Sequence, residues 1–96
     1  MTWEELVADV TARYPLHEST MFGVPCLKRE SGKVVACHWR DGGLTVKLTD
    51  EEVRERALAL PGAELFDPGM GRRMREWVLV SAAQSHEWLR LVEQAV

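Results

Sequence analysis

Between residues 21 and 48 the chain is cut into three short apolar runs by two glycine turns. This punctuation limits the possible folds more than any other feature. Residues 21–29, 33–39 and 44–48 are too short for stable helices and predict strands. Ser31-Gly32 joins the first two and Asp41-Gly42-Gly43 joins the second two, both with turn chemistry. In the third run Leu44, Val46 and Leu48 face one way, while Thr45 and Lys47 face the other. That pattern predicts a half-buried strand in an antiparallel meander with one wet face. Pro25 lies inside the first run and cannot donate to a ladder, so the run is expected to be an edge, or bulged there.

Helical spacing surrounds this meander. Thr2 and Glu5 form a capping-box pair, and Trp3, Leu6, Val7, Val10 and Tyr14 then recur on one stripe until Pro15 ends it. Residues 17–20 (His-Glu-Ser-Thr) read as a polar link. Thr49 and Glu52 repeat the capping signal before Val53, Ala57 and Leu60, and Pro61-Gly62 stops that helix. Short strands at 63–66 and 75–80 flank a glycine-and-arginine loop. Ser81 and Gln84 give a third capping signal, ahead of Trp88, Leu89, Val92 and Ala95 on one face. The predicted order is α-β-β-β-α-β-β-α over a single domain, residues 1–96. This is an α+β fold with helices packed on a mainly antiparallel sheet. Trp3, Trp77 and Trp88 are expected in the core, and Trp39, at the end of a hairpin strand, is expected to be more exposed.

Composition narrows the function classes. The chain has 96 residues, 46% of them hydrophobic and 28% charged, which suits one ordered globular domain. Its net charge of −3 counts against nucleic acid as a partner unless a local patch supplies the contacts. Two cysteines are too few for a secreted disulfide scaffold. The N-terminus shows no apolar run behind a basic start, and no stretch approaches the roughly 18 apolar residues of a membrane span. A cytoplasmic protein with no membrane contact is expected.

The loop between Phe66 and Trp77 is the one place where positive charge concentrates. Guanidinium groups fork onto oxyanions, so Arg72, Arg73 and Arg75 are candidates for binding phosphate or a carboxylate-bearing partner. Gly69 and Gly71 would let backbone amides approach such an anion. The loop is not a phosphate loop, because it lacks the lysine followed by serine or threonine and precedes no helix. The competing reading has these arginines solvated or paired with Asp67 and Glu76.

A two-residue turn at Ser31-Gly32 would set Cys26 opposite Cys37, as a redox switch or, more simply, as two buried thiols. His17, His38 and His86 are scattered, and Cys37-His38 is not a chelating interval, so no metal and no cofactor are expected. Glu4, Glu5, Asp50, Glu51 and Glu52 crowd helix starts, where they complement the dipole. No catalytic set is visible, and an enzyme is not expected. The apolar segment from Met21 and Phe22 to Pro25 could accept a strand from a partner or a second copy of the chain, unless the preceding segment covers it.

Met21-Phe22-Gly23, Gly32-Lys33-Val34-Val35-Ala36 and Leu44-Thr45-Val46-Lys47-Leu48 together resemble the N-terminal domain of TfoX/Sxy proteins. Phe66-Asp67-Pro68 and the run from Gly71 to Trp77 resemble single-domain bacterial members of the same group. The similarity covers roughly residues 19–95, and a more distant likeness is to MmcQ/YjbR proteins, often labelled DNA-binding. The resemblance implies an α+β domain with a regulatory role in a bacterial cytoplasm. Full-length TfoX proteins carry a second, C-terminal domain, so a function residing there does not transfer. The family supplies no catalytic residues. The leading expectation is an adaptor that binds another protein through Arg72, Arg73 and Arg75, with Met21, Phe22 and Trp39 as further contacts. A nucleic-acid binder using the same arginines with Lys28, Arg29, Lys33 and Lys47 is the alternative. A small-molecule pocket lined by Trp39 and Trp77 is a third class, and a homodimer fits any of them.

Overall fold

A computed structural model describes residues Met1–Val96. The first helix, α1 (Trp3–Arg13), starts at the capping box read from the sequence. Thr2 Oγ1 accepts from the Glu5 amide at 3.1 Å, and Glu5 Oε1 accepts from the Thr2 amide at 2.8 Å. That backbone hydrogen bond from Thr2 holds the Glu5 carboxyl below its usual range. At the other end Arg13 pairs with Asp9 on its own helix and with Glu93 at 2.7 Å, tying α1 to the last helix.

After Pro15 the chain enters a strand at once. β1 (Leu16–Met21) occupies the stretch whose polar residues read as a link. It escapes the alternation rule because it is an edge strand with only Leu16 buried. β1 pairs in full with β2 (Val24–Arg29), from Leu16 opposite Arg29 to Met21 opposite Val24. Phe22 and Gly23 form the connection with φ of 57° and 76°, left-handed at both positions as a two-residue hairpin turn requires. The expected first strand is therefore split at this turn, and β2 is an interior strand rather than an edge. Pro25 faces Thr20 of β1, and the pairing to β3 (Val34–His38) begins only at Cys26. The bulge in β2–β3 falls between Leu27 and Lys28, not at the proline.

The β2–β3 turn is one residue longer than expected. Arg29 N donates to Lys33 O at 2.9 Å and Gly32 N to Arg29 O at 2.9 Å, with Gly32 at φ 88°. This is a three-residue loop closed by a left-handed glycine. The bulge then shifts the register back by one, so Cys26 does face Cys37.

β4 (Leu44–Lys47) leads to α2 (Glu51–Leu58), whose cap is Asp50 and not Thr49. Asp50 Oδ1 accepts from Val53 N at 3.0 Å. β5 (Glu64–Leu65) and β6 (Trp77–Val80) follow. Ser81 makes no side-chain cap; its carbonyl takes the Gln84 amide at 3.0 Å, and residues Ala82–Glu87 form a 3₁₀ segment before α3 (Trp88–Ala95). The sheet order is β1-β2-β3-β4-β6-β5 with every neighbouring pair antiparallel. The fold is α+β, as expected, with one strand more than the sequence order suggested.

The helices share one face of this sheet. Trp3, Leu6 and Val10 of α1, Ala57 of α2 and Trp88, Leu91 and Val92 of α3 join Leu27, Ala36, Leu44, Val46 and Val78 in one core. His38 stacks parallel to Trp3 at 5.4 Å and meets Trp88 edge-on at 6.1 Å. The opposite face carries no helix. Val24, Cys26 and Cys37 form a small second cluster there with Met21, Val34 and Trp39, and Thr45 is fully buried beside Cys37. The face expected to be wet is thus a thin apolar layer.

Leu27→Ala should lower unfolding free energy by about 2–5 kcal/mol in a urea titration, because Leu27 is fully buried in the main core. At the hairpin turn, Phe22→Asn should be more stable than Phe22→Ala by about 1 kcal/mol. Both remove the ring, but asparagine tolerates the left-handed conformation that alanine resists.

Candidate functional site

The arginine loop springs from a closed stem. Phe66 N donates to Trp77 O at 2.9 Å, Met74 N to Phe66 O at 2.7 Å and Trp77 N to Met74 O at 3.1 Å. Phe66 is buried and packs edge-on to Trp39 at 4.6 Å, which pins the stem to the open sheet face. Within the loop Asp67 Oδ1 accepts from the Gly69 and Met70 amides at 2.8 and 3.0 Å. Its carboxylate is therefore used on backbone. Arg72, Arg73 and Arg75 are exposed, and none forms an ion pair with Asp67 or Glu76.

Between the loop and the sheet lies a cleft of about 570 Å³. Its floor holds Lys47 and Trp77, cross-strand partners on β4 and β6. Arg72, Arg73, Met74, Arg75 and Glu76 form one wall, Met70 stands at the rim, and Phe22 approaches from the β1–β2 turn. Four cations thus face a single carboxylate. Phe22 and Met70 are 41% and 72% exposed, large apolar side chains left in water beside the charges. Such a lining attracts an anion that also carries an apolar group.

Two neighbouring hollows extend the charged surface. One of about 360 Å³ shares Lys47 and adds Arg29, Lys33, Ser31 and Thr49, with no carboxylate in its lining. Arg29 there donates to the Ala95 carbonyl at 2.8 Å. The other, of about 470 Å³, shares Arg75 and Glu76 with Thr49, Glu51 and Arg54, so its charges are mixed. Arg54 donates to the Leu48 carbonyl at 2.9 Å.

The cleft brings together four of the six residues singled out from the sequence: Arg72, Arg73, Arg75 and Phe22. Met21 lies elsewhere, half-buried against the small cluster of Val24, Cys26 and Cys37. Trp39 does not line the cleft, because Phe66, Phe22 and the Arg40 guanidinium (4.7 Å above its ring) occupy its surroundings. The expected Trp39–Trp77 pocket therefore contains Trp77 alone. Met70 and Met74 were missed, and Lys47 was expected beside the arginines only in the nucleic-acid alternative. Lys47 carried a readable signal, since strand alternation had already turned it away from the core.

The thiols sit on the same open face. Cys26 and Cys37 are unbonded to each other, opposite in register, and at most 1% exposed. Burial pushes the Cys37 thiol from 9.0 up to about 11 and raises Cys26 in the same direction. Among the histidines, His38 is held between Trp3 and Trp88, and no group of three or more His, Cys, Asp or Glu residues comes together. No helix is long and apolar enough to cross a membrane. No family model, curated protein or solved structure matches this chain.

Between pH 9.0 and about 11 the folded chain keeps the Cys37 proton that the unfolded chain releases. The associated stability is full below the lower value and is lost as pH rises through the upper one. Denaturant midpoints measured across this window should fall less steeply for Cys37→Ala than for the parent. A thiol reagent should label neither cysteine quickly until the chain unfolds.

Proposed function

We propose that this chain is a non-enzymatic regulatory or adaptor module that binds another protein through the cleft beneath the arginine loop. The observation that carries this reading is the lining, in which Lys47, Arg72, Arg73 and Arg75 face Glu76 alone, with Phe22 and Met70 exposed among them. Unneutralised cations gathered round a concavity favour an anionic partner, and exposed apolar groups beside them favour one with apolar side chains. The carboxylates support a structural rather than catalytic role. Glu5, Asp41, Asp50 and Asp67 each accept a backbone amide. The likeness to the TfoX N-terminal domain supports a regulatory setting in a bacterial cytoplasm. The free edge of β1 offers a route to a homodimer.

Affinity capture from a nuclease-treated lysate of the source organism tests the reading. The parent should retain a protein that the triple variant Arg72→Ala, Arg73→Ala, Arg75→Ala loses. All three side chains are exposed, so stability should change by no more than about 0.5 kcal/mol. Equal capture by both proteins overturns the proposal.

One observation favours a second reading. Lys47 belongs to both the cleft and the neighbouring hollow, so a continuous basic track runs to Lys33 and Arg29. A nucleic-acid strand along that track, in the manner of the MmcQ/YjbR likeness, would bind with a steep salt dependence. The slope would be about −0.7 per phosphate contacted on single strands. Affinity for oligothymidylate that is flat between low and physiological salt removes this reading.

A further inference from the structure

Phe22 is the one residue other than glycine with positive φ, at 57°, and it is also one of the few large apolar side chains left exposed. A two-residue hairpin turn of this kind prefers asparagine or aspartate at its first position, so an aromatic there runs against the local preference. The turn is held all the same. Arg40 Nη2 donates to the Phe22 carbonyl at 3.1 Å, and the ring stands edge-on to Trp39 at 6.3 Å. The result is an aromatic fixed in the lining of the cleft, which Met70 of the loop lines as well.

We propose that this pair is a clamp, and that its occupant is an acidic segment of a partner protein carrying an apolar anchor. The anchor docks between Phe22 and Met70 above Trp77, while flanking carboxylates meet Lys47 and the loop arginines. The proposal rests on the interaction reading above and adds the chemistry of the partner. Charge complementarity selects an anionic segment, since the cleft holds four cations and one carboxylate. The apolar lining selects a protein segment over a nucleic-acid strand. Trp77 is only 8% exposed and Trp39 is taken up by Arg40 and Phe66, so Phe22 is the one exposed ring of the cleft and no series of rings is presented for successive bases to stack on. Thioethers such as Met70 and Met74 suit side chains of varied shape instead.

Fluorescence anisotropy on the whole chain tests this with labelled probes. They are a short Asp/Glu peptide with a central Leu-Phe pair, a polyglutamate of equal charge, and oligothymidylate. The Leu-Phe peptide should bind, with polyglutamate at least about tenfold weaker. Phe22→Asn and Met70→Ser should each weaken the peptide by about tenfold, and should leave polyglutamate unchanged. The asparagine variant keeps the turn, so a lost interaction there reports the ring and not the fold. Equal binding of polyglutamate overturns the anchor, and tighter binding of oligothymidylate overturns the choice of a protein segment. Self-association of the parent that is lost in Phe22→Asn would make a second copy the occupant and also overturn it. If no probe binds while lysate capture still depends on the arginines, the segment chemistry falls and the interaction reading stands. If capture is equal as well, both fall.

Discussion

All three helices lie on one face of the sheet, and the character of the other face follows from that constraint. A six-stranded antiparallel sheet has two surfaces to manage, and here only one receives helical cover. The uncovered surface is closed by its own side chains. Ser19, Cys26, Cys37 and Thr45 stand in one row across four strands, small residues over which Met21, Val34 and Trp39 can fold. At the β4–β6 end this arrangement gives out, and the arginine loop leans over Lys47 and Trp77 instead. The cleft is the gap that remains between a loop and a sheet lacking a helix.

The same division organises the charge. Glu4, Glu5, Asp9, Glu51, Glu52 and Glu55 sit on α1 and α2, and every ion pair joins residues of the helical segments. Lys28, Lys33, Lys47 and the three loop arginines sit on strands or loops. A net charge of −3 therefore conceals a locally basic cleft. Total charge is a weak guide to partners when the acids are gathered at helix starts for reasons of their own.

Legibility followed burial. The main meander, the helix stripes and the buried tryptophans were readable because a covered face imposes period 2 on a strand and 3.6 on a helix. β1 was not readable, since an edge strand with one buried residue imposes no period, and His17, Glu18, Ser19 and Thr20 look like a link. The opposition of Cys26 and Cys37 came out right although the turn was one residue longer than assumed. The bulge at Leu27 and Lys28 cancelled that error, and nothing in the local residues announces it. Arg72, Arg73 and Arg75 were legible as a composition anomaly. Lys47 was legible beside them only as a nucleic-acid contact, and Met70 joined the site only once the sheet had brought β4, the hairpin turn and the loop together.

The loop's internal chemistry explains why its arginines can stay unpaired. Exposed ion pairs contribute only about 0–1 kcal/mol, so leaving Arg72, Arg73 and Arg75 in solvent sacrifices little stability. The loop is ordered by other means: Asp67 on two amides, the stem bonds at Phe66 and Trp77, and the burial of Phe66 against Trp39. Its shape does not depend on its cations. Phe22 shows the same separation on the opposite side, where Gly23 and the Arg40 bond hold the turn while the ring faces the cleft. The surface residues are thus free to be chosen for what they contact, because the scaffold beneath them is set by groups that face inward.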